Sequence, residues 1–438
     1  MISTTPQKPS GASRKISTRK RFLFFALLAA LSLLPFHRQI SSFVLERGLL
    51  KNESPTVGTV EEMMDSSTNS GAVILAAWNS GKIVHREAAM LAARKIVLNP
   101  RKYVPVQLQS LVEEGAFDPD IYVRELALAV LRQQRHSHLA QWAAAQASDC
   151  DPEIRLLGAE TLHWVDAKTG VPIAVRLLDD SDPRVVVRGL NLLEKWTHQS
   201  FGVKLTEVAA GVADEETGLI EFHPGSEEKC KAGATLAKTW WAEHQMEYDS
   251  IVPPQSYKAK SLPRREEFTA STIDGRQVKL SDARGSTALL YFWSTPEGGC
   301  LDELEDLMAL KAKFGNALKI FAICLDNVPD NDGGVAGESD EAIHNRKFDP
   351  HAPPSPSAGA LRERLAQLVK DKSLSYPVIL DEKFSIGGRF NASTVPTTVL
   401  VDAEGCVHRR FAGRRRLPVL EAMVAETGQS APQTASLK

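Results

Sequence analysis

A unit with helical spacing recurs four times in the first half of this 438-residue chain. The copies align on an arginine, with spacings of 38, 31 and 33 residues: Arg86, Arg124, Arg155 and Arg188. Apolar residues in each copy recur at the three- and four-residue intervals of an amphipathic helix. An imperfect repeat of this length predicts stacked helical units that bury their apolar faces against each other. We therefore expect a helical solenoid over residues 75–249.

Asp-Pro pairs at 151–152 and 182–183 open two of these units. Aspartate caps a helix N-terminus, and proline suits the first turn because its missing N–H has no partner there. The unit's arginine can then reach acidic groups or carbonyls of the adjacent unit. This D-P-x-x-R-x-x-A-like pattern resembles HEAT-type repeats, and the resemblance implies an extended protein-binding surface. The histidines of this region do not combine with carboxylates at metal-ligand spacing, so we predict no metal site.

The N-terminal segment predicts export. Residues 1–21 contain six basic residues and no acidic one, and the following 15 residues, 22–36, are almost all apolar. A helix of 15 residues at ~1.5 Å per residue falls short of a ~30 Å membrane core. We favour an uncleaved anchor over residues 22–50, in which a partly apolar stretch extends the apolar run. A cleaved signal peptide is the alternative. Residues 51–74 then form a polar linker.

Charge and localisation follow from this arrangement. We expect a single-pass protein of a bacterial cell membrane, with residues 1–21 cytoplasmic and the C-terminal bulk extracytoplasmic, in the periplasm.

The net charge is −2, and the tail contributes +6, so the rest of the chain carries −8. A mildly acidic body argues against a nucleic-acid partner, whose phosphates require a basic face.

The cysteines are few, widely spaced and odd in number. They do not form any C-x-x-C pair, which excludes a zinc ribbon and a dithiol of neighbours. The five are Cys150, Cys230, Cys300, Cys324 and Cys406. Cys150 and Cys230 could pair within the helical region, and the sequence leaves that open. In an oxidising compartment, at least one thiol remains unpaired or acts transiently.

The hydrophobic pattern changes after a Pro- and Ser-rich linker at 250–263. From 264 to 428, short apolar runs bounded by turn residues alternate with helical segments. The order strand–helix–strand–helix–strand–strand–helix predicts an α/β domain with a mixed sheet. Residues 327–358 are rich in Asp, Gly, Pro and Ser, which predicts a disordered insertion, and residues 429–438 form a tail.

Four segments of this domain resemble the thioredoxin-like family, in particular membrane-anchored bacterial redoxins of the TlpA/ResA kind. They are DGRQVKLSD (274–282), YFWSTPEGGC (291–300), STVPTTVLVDAEG (393–405) and RRFAG (409–413). The resemblance implies a thioredoxin fold and thiol–disulfide redox ancestry, without a cofactor. In that family the strand ends in F-W, a W-C-x-x-C motif follows, and both cysteines act.

The motif departs from the family pattern at its reactive position. Phe292 and Trp293 match, and Cys300 stands where the second cysteine belongs, but Glu297 replaces the first cysteine and Pro296 the tryptophan before it. A carboxylate cannot attack a disulfide, so a two-cysteine reductase cycle is excluded. A helix N-terminus favours a Cys300 thiolate and the Glu297 charge one turn away disfavours it, and the sequence leaves their balance open.

Three interpretations of Cys300 remain. It can act alone, forming a mixed disulfide that an outside thiol resolves. It can be a small buried residue of a domain that now only binds proteins. It can be the thiol of a one-cysteine peroxidase. We favour protein binding with at most monothiol chemistry, and an oxidoreductase or peroxidase using Cys300 alone is the alternative.

A groove beside the motif is expected to bind protein partners. Pro396 matches the family's cis-proline, and the resemblance implies that Val395, Pro396 and Thr397 face an extended peptide together with Trp293 and Pro296. The competing interpretation is that the fold itself requires this turn. Cys324 and Cys406 are predicted to be a core thiol and a near-surface thiol, and neither is expected to resolve a Cys300 disulfide.

A basic cluster surrounds the last strand: Arg409, Arg410, Arg414, Arg415 and Arg416. Since alternate residues of a strand face opposite sides, a solvated face is the simpler expectation. The alternative is that the cluster binds an acidic patch on the helical repeats of the same chain, as an internal partner.

Overall fold

The computed structural model describes residues 70–99, 106–204, 209–213, 220–223, 225–248, 265–295, 298–326 and 358–429. The predicted tail at 1–21, the predicted anchor at 22–50, most of the first linker, the whole second linker and all but the last residue of the predicted insertion at 327–358 lie outside these residues. Within the described ranges, no helix has both the length and the apolarity needed to cross a membrane.

The N-terminal half is helical, as predicted. Its elements are α1 Ser70–Asn79, α2 Ile83–Val97, α3 Val106–Gly115, α4 Ile121–Gln133, α5 Leu139–Gln146, α6 Pro152–Leu162, α7 Ala167–Arg176, α8 Pro183–Thr197, β1 Ala209–Ala213, β2 Ile220–Phe222 and α9 Ser226–His244. Strands β1 and β2 form an antiparallel pair that the helical periodicity did not predict. The last helix, α9, packs back on α8.

Three Asp-x-Asp turns, spaced 31 residues apart, begin α4, α6 and α8: Asp118 and Asp120, Asp149 and Asp151, Asp180 and Asp182. In each turn, the first carboxylate accepts the N–H of the second aspartate at 2.8–2.9 Å. The second carboxylate caps the helix by accepting the N–H two residues further on, at 2.9–3.0 Å. The aspartate caps predicted before the two prolines are therefore confirmed.

Arginines join these turns into a series. Each ion pair links an arginine to the first aspartate of the following turn: Arg86–Asp118 at 2.8 Å, Arg124–Asp149 at 3.5 Å and Arg155–Asp180 at 2.6 Å. The alignment that included Arg188 was wrong. Arg124 and Arg155 each lie four residues after their capping aspartates, whereas Arg188 lies six residues after its own. In that last unit, the buried Val186 occupies the position four residues after the cap.

The C-terminal half is an α/β domain. Its elements are β3 Thr269–Ser271, β4 Gln277–Lys279, β5 Thr287–Trp293, α10 Gly298–Phe314, β6 Leu318–Cys324, α11 Ala358–Asp371, β7 Val378–Leu380, α12 Ser385–Arg389, β8 Thr397–Val401, β9 Val407–Ala412 and α13 Leu417–Gln429. Strands β3 and β4 form an antiparallel hairpin. The main sheet has the order β7-β6-β5-β8-β9, parallel from β7 to β5 and antiparallel from β5 to β9, so the mixed sheet is confirmed.

Strand β5 is buried along its whole length because both faces of the sheet are covered. Leu289, Tyr291 and Trp293 point into one apolar cluster, together with residues of α10 and α13. Leu290 and Phe292 point into the opposite cluster. This alternation places Trp293 on the α10 side of the sheet.

The two halves meet through three of the clustered arginines, so the solvated face was wrong for these residues. Their exposed fractions are only 6–8%. The ion pairs are Arg409–Asp149 at 2.8 Å, Arg410–Asp120 at 2.8 Å and Arg415–Asp151 at 3.0 Å. The backbone N–H of Arg410 also donates to the Pro119 carbonyl at 3.0 Å. The helical half is thus the acidic internal partner given as the alternative.

Candidate functional site

Cys300 lies in the first turn of α10, directly after the loop that follows β5. Its side chain is 1% exposed and packs in the apolar cluster that contains Trp293. The Tyr291 hydroxyl donates to the Cys300 backbone carbonyl at 3.1 Å, which ties the helix start to β5. Pro296 and Glu297 lie outside the described residues.

The loop before the motif is held by Asp326, at the end of β6. Its carboxylate accepts the Ser294 hydroxyl at 3.0 Å, the Thr295 N–H at 2.8 Å and the Thr295 hydroxyl at 2.5 Å. Sequence analysis missed Asp326. The signal was a lone carboxylate at the C-terminal end of a buried strand, adjacent in the sheet to the strand that carries the motif.

The Val395–Pro396 peptide bond is cis, as expected. The Pro396 carbonyl accepts the Gly413 N–H at 2.8 Å, and the Thr397 hydroxyl donates to the Thr394 carbonyl at 2.5 Å. Thr397 is buried, whereas Val395 and Pro396 are partly exposed. Trp293 is fully buried, so its ring belongs to the core and does not form an open groove wall.

Glu303, one helical turn after Cys300, is a second residue that sequence analysis missed. Its side chain is buried, and its nearest cation is Arg414, with 4.0 Å between Nε and the carboxylate. Burial raises the pKa of Glu303 to about 7, although the nearby Tyr291 hydroxyl and Arg414 oppose the rise. A carboxyl group with this pKa can hold or release a proton near neutral pH. The signal was a charged residue on the apolar face of α10.

The five cysteines are unpaired. Cys150 and Cys230 belong to different apolar clusters and do not form a disulfide. Cys324 is fully buried opposite Trp293, as the predicted core thiol, and burial raises its pKa well above the usual range. Cys406 is partly exposed and accepts a hydrogen bond from Arg265 at 3.4 Å.

A cleft of about 740 Å³ opens beside the cis-proline turn. The C-terminal half contributes residues 393–394 and 412–416, and the helical half contributes the first turns of α4, α6 and α8. The site is therefore shared by both halves. Within the described ranges, no three His, Cys, Asp or Glu side chains come together in a way that could hold a metal ion.

The C-terminal half is similar to known proteins. Residues 263–410 match the profile of the AhpC/TSA family. The thioredoxin-like protein YneN of Bacillus subtilis is 22% identical over 158 residues, which cover 35% of this chain and 75% of that protein. The thiol-disulfide oxidoreductase ResA of Bacillus cereus is 24% identical over 154 residues, which cover 35% of this chain and 70% of ResA. This part of the chain is thus similar to the AhpC/TSA family and to thioredoxin-like relatives.

Solved structures are also similar to this part of the chain. The exposed lipoprotein thioredoxin Etrx1 of Streptococcus pneumoniae is 17% identical with a TM-score of 0.28, covering 37% of this chain and 99% of that one. StoA of Bacillus subtilis is 16% identical with a TM-score of 0.26, covering 36% of this chain and 96% of that one.

Proposed function

We propose that this protein is a membrane-anchored, extracytoplasmic, thioredoxin-fold protein that binds other proteins and supports at most monothiol chemistry at Cys300. The observation that carries this proposal is the burial of Cys300, which is 1% exposed, together with Glu297 at the place of the first cysteine. A buried thiol without a neighbouring motif thiol is poorly placed to meet a disulfide. The cis-proline turn, in contrast, remains partly exposed and accessible to a partner.

The helical half is proposed to be a HEAT-like solenoid that presents the second binding surface. The 31-residue spacing of the Asp-x-Asp turns and the arginine–aspartate series between them support this assignment. A repeated unit that pairs each copy with the next is the arrangement that solenoids use. The anchor at residues 22–50 is supported by the apolar run behind a basic segment.

A monothiol oxidoreductase using Cys300 is the second candidate function, and Glu303 favours it. A buried carboxylate one turn away can accept the Cys300 proton when the side chain becomes accessible. The Cys300 thiolate then attacks one sulfur of a partner disulfide, and the other sulfur leaves as a thiolate. An external thiolate resolves the resulting mixed disulfide and releases Cys300.

Glutathionylation of the full-length chain in detergent micelles separates the two functions. The protein is incubated with oxidised glutathione from pH 5 to 9, and adducts are located by intact mass and peptide mapping. Cys300→Ser is the test variant, and Cys406→Ser, which removes a partly exposed thiol, is the matched control. The binding function predicts adducts no faster than those of Cys300→Ser. Rapid modification of Cys300 near neutral pH would establish the monothiol function instead.

A further inference from the structure

The cleft between the two halves has the size of a ligand site. Its volume of about 740 Å³ lies within the range of ~300–1,000 Å³ typical of binding pockets. One wall is the exposed loop of Ser393 and Thr394, directly before the cis-proline. The opposite wall includes Tyr122 and Glu125 of α4 and Glu153 of α6. A molecule that fills the cleft therefore touches both halves.

The loop wall offers backbone groups to a partner. In the described part of the chain, Ser393 and Val395 make no backbone–backbone hydrogen bonds. Unpaired N–H and C=O groups at an exposed loop can pair with an extended polypeptide, as at the edge of a sheet. The hydrogen bond from Gly413 to Pro396 ties the second segment of this wall to the turn.

The helical wall of the cleft carries uncompensated negative charge. Five of the six lining arginines are paired with carboxylates: Arg155–Asp180 at 2.6 Å, Arg184–Asp182 at 2.7 Å, Arg410–Asp120 at 2.8 Å, Arg415–Asp151 at 3.0 Å and Arg414–Asp306 at 3.5 Å. The sixth, Arg416, is exposed and lies on the wall opposite the helical half. Glu125 is exposed and forms no ion pair with any described residue. Glu227 has only a distant, solvent-exposed pair with Lys231 at 3.8 Å. The helical wall can therefore attract the cationic groups of a ligand.

Tyr122 adds an aromatic surface to this acidic wall. Its side chain is 42% exposed, although most large apolar and aromatic residues of the helical half are buried. It lies one helical turn before Glu125. An exposed phenol ring beside a carboxylate suits a lysine or arginine side chain, because the ring face attracts the cation and the stem covers the ring.

We infer that this cleft binds an extended polypeptide segment carrying lysine or arginine, with its backbone on the loop of Ser393 and its basic side chains toward Tyr122 and Glu125. This inference rests on the proposed function and names the class of partner. The helical half then selects the partner by charge, and the thioredoxin-like half holds its backbone.

Fluorescence anisotropy of labelled nonapeptides with the full-length chain in detergent micelles tests the inference. One peptide, without cysteine, alternates Ala and Ser with two lysines, and its counterpart has glutamates in their place. We expect the lysine peptide to bind at least tenfold more tightly, and Glu125→Lys to weaken it at least fivefold. Glu243→Lys is the matched control, since Glu243 is exposed on α9 outside the cleft, and it should change binding less than twofold.

Three results would overturn the inference: equal binding of the two peptides, an unchanged affinity in Glu125→Lys, or binding of spermine as tightly as of the lysine peptide. Circular dichroism confirms that the variant is folded. Glutathionylation of Cys300 distinguishes this test from that of the proposed function. Labelling of Cys300 without peptide binding removes only the cleft assignment. Peptide binding in Cys300→Ser at unchanged affinity shows that recognition does not need the thiol.

Discussion

Removal of the Arg410 charge is expected to destabilise the whole chain. The Arg410–Asp120 pair is almost completely buried, with side-chain exposures of 8% and 0%. Arg410 also donates from Nε to the Phe390 carbonyl at 2.8 Å and from its terminal nitrogen to the Asn391 carbonyl. Arg410→Met retains the length of the side chain and removes the charge, so that Asp120 remains buried without a counter-ion.

The expected magnitude follows from that burial. Breaking a buried ion pair on one side costs about 3–5 kcal/mol, because the remaining charge is uncompensated. Asp120→Asn removes the opposite charge and retains the helix cap, since asparagine caps as well as aspartate does. The double variant should lose less stability than the sum of the two single losses, by at least about 2 kcal/mol, because it leaves no unpaired charge.

Urea denaturation followed by tryptophan fluorescence measures these free energies. The matched control is the exposed pair Arg362–Glu382, with 2.8 Å between nitrogen and oxygen and exposures of 40% and 36%. Arg362→Met should cost less than about 1 kcal/mol. If Arg410→Met costs no more than this control, or if the two losses at Arg410 and Asp120 simply add, the interface does not depend on the buried pair and the reasoning is refuted.

Three further changes have defined outcomes. Gly158→Ala should lower the free energy of unfolding by about 1–3 kcal/mol in urea denaturation, because a Cβ there would lie 2.9 Å from the Ala147 backbone nitrogen. The control Gly71→Ala, whose Cβ would have nothing within 4 Å, should not destabilise the chain, and equal effects of the two variants would contradict the prediction. The raised pKa of Glu303 means that its contribution to stability is present below about pH 4.5 and lost as pH rises through about 7. Glu303→Gln should therefore gain about 2.5 kcal/mol of stability relative to the natural chain between pH 5 and pH 8, and parallel pH profiles of the two proteins would exclude this contribution. Asp326→Ala should accelerate alkylation of Cys300 by iodoacetamide severalfold, because the loop before the motif loses three hydrogen bonds, and an unchanged rate would show that this loop does not cover the thiol.

The sheet could be predicted from the sequence because its strands are locally encoded. The apolar run of β5 and the Asp274-Gly275 turn between β3 and β4 act over a few residues, and the structure follows both. The cis bond before Pro396 came from family resemblance. The placement of Arg410 could not be predicted, because its partner Asp120 lies 290 residues away in the sequence. The local sequence pattern predicts that a cationic residue on a strand faces solvent.

The helical repeat shows a second limit of sequence reasoning. Alignment on arginine gave irregular spacings, whereas the capping aspartates have a spacing of 31 residues. A helix cap is tied to one backbone position, whereas a long arginine side chain reaches its partner from several positions. Glu303 shows the same problem at the site, since a charged residue on an apolar helix face has no local signature of its pKa.

Both outer strands of the main sheet are bridged at one point by another part of the same chain. Pro119 accepts the Arg410 amide at the β9 side, and the Ile273 amide donates to Val378 at the β7 side, at 2.8 Å. An open sheet edge invites strand addition by a second molecule, which is a common route to aggregation. Here each outer strand already has a neighbour at these positions. These bridges should therefore hinder edge-to-edge joining of two such sheets at high protein concentration.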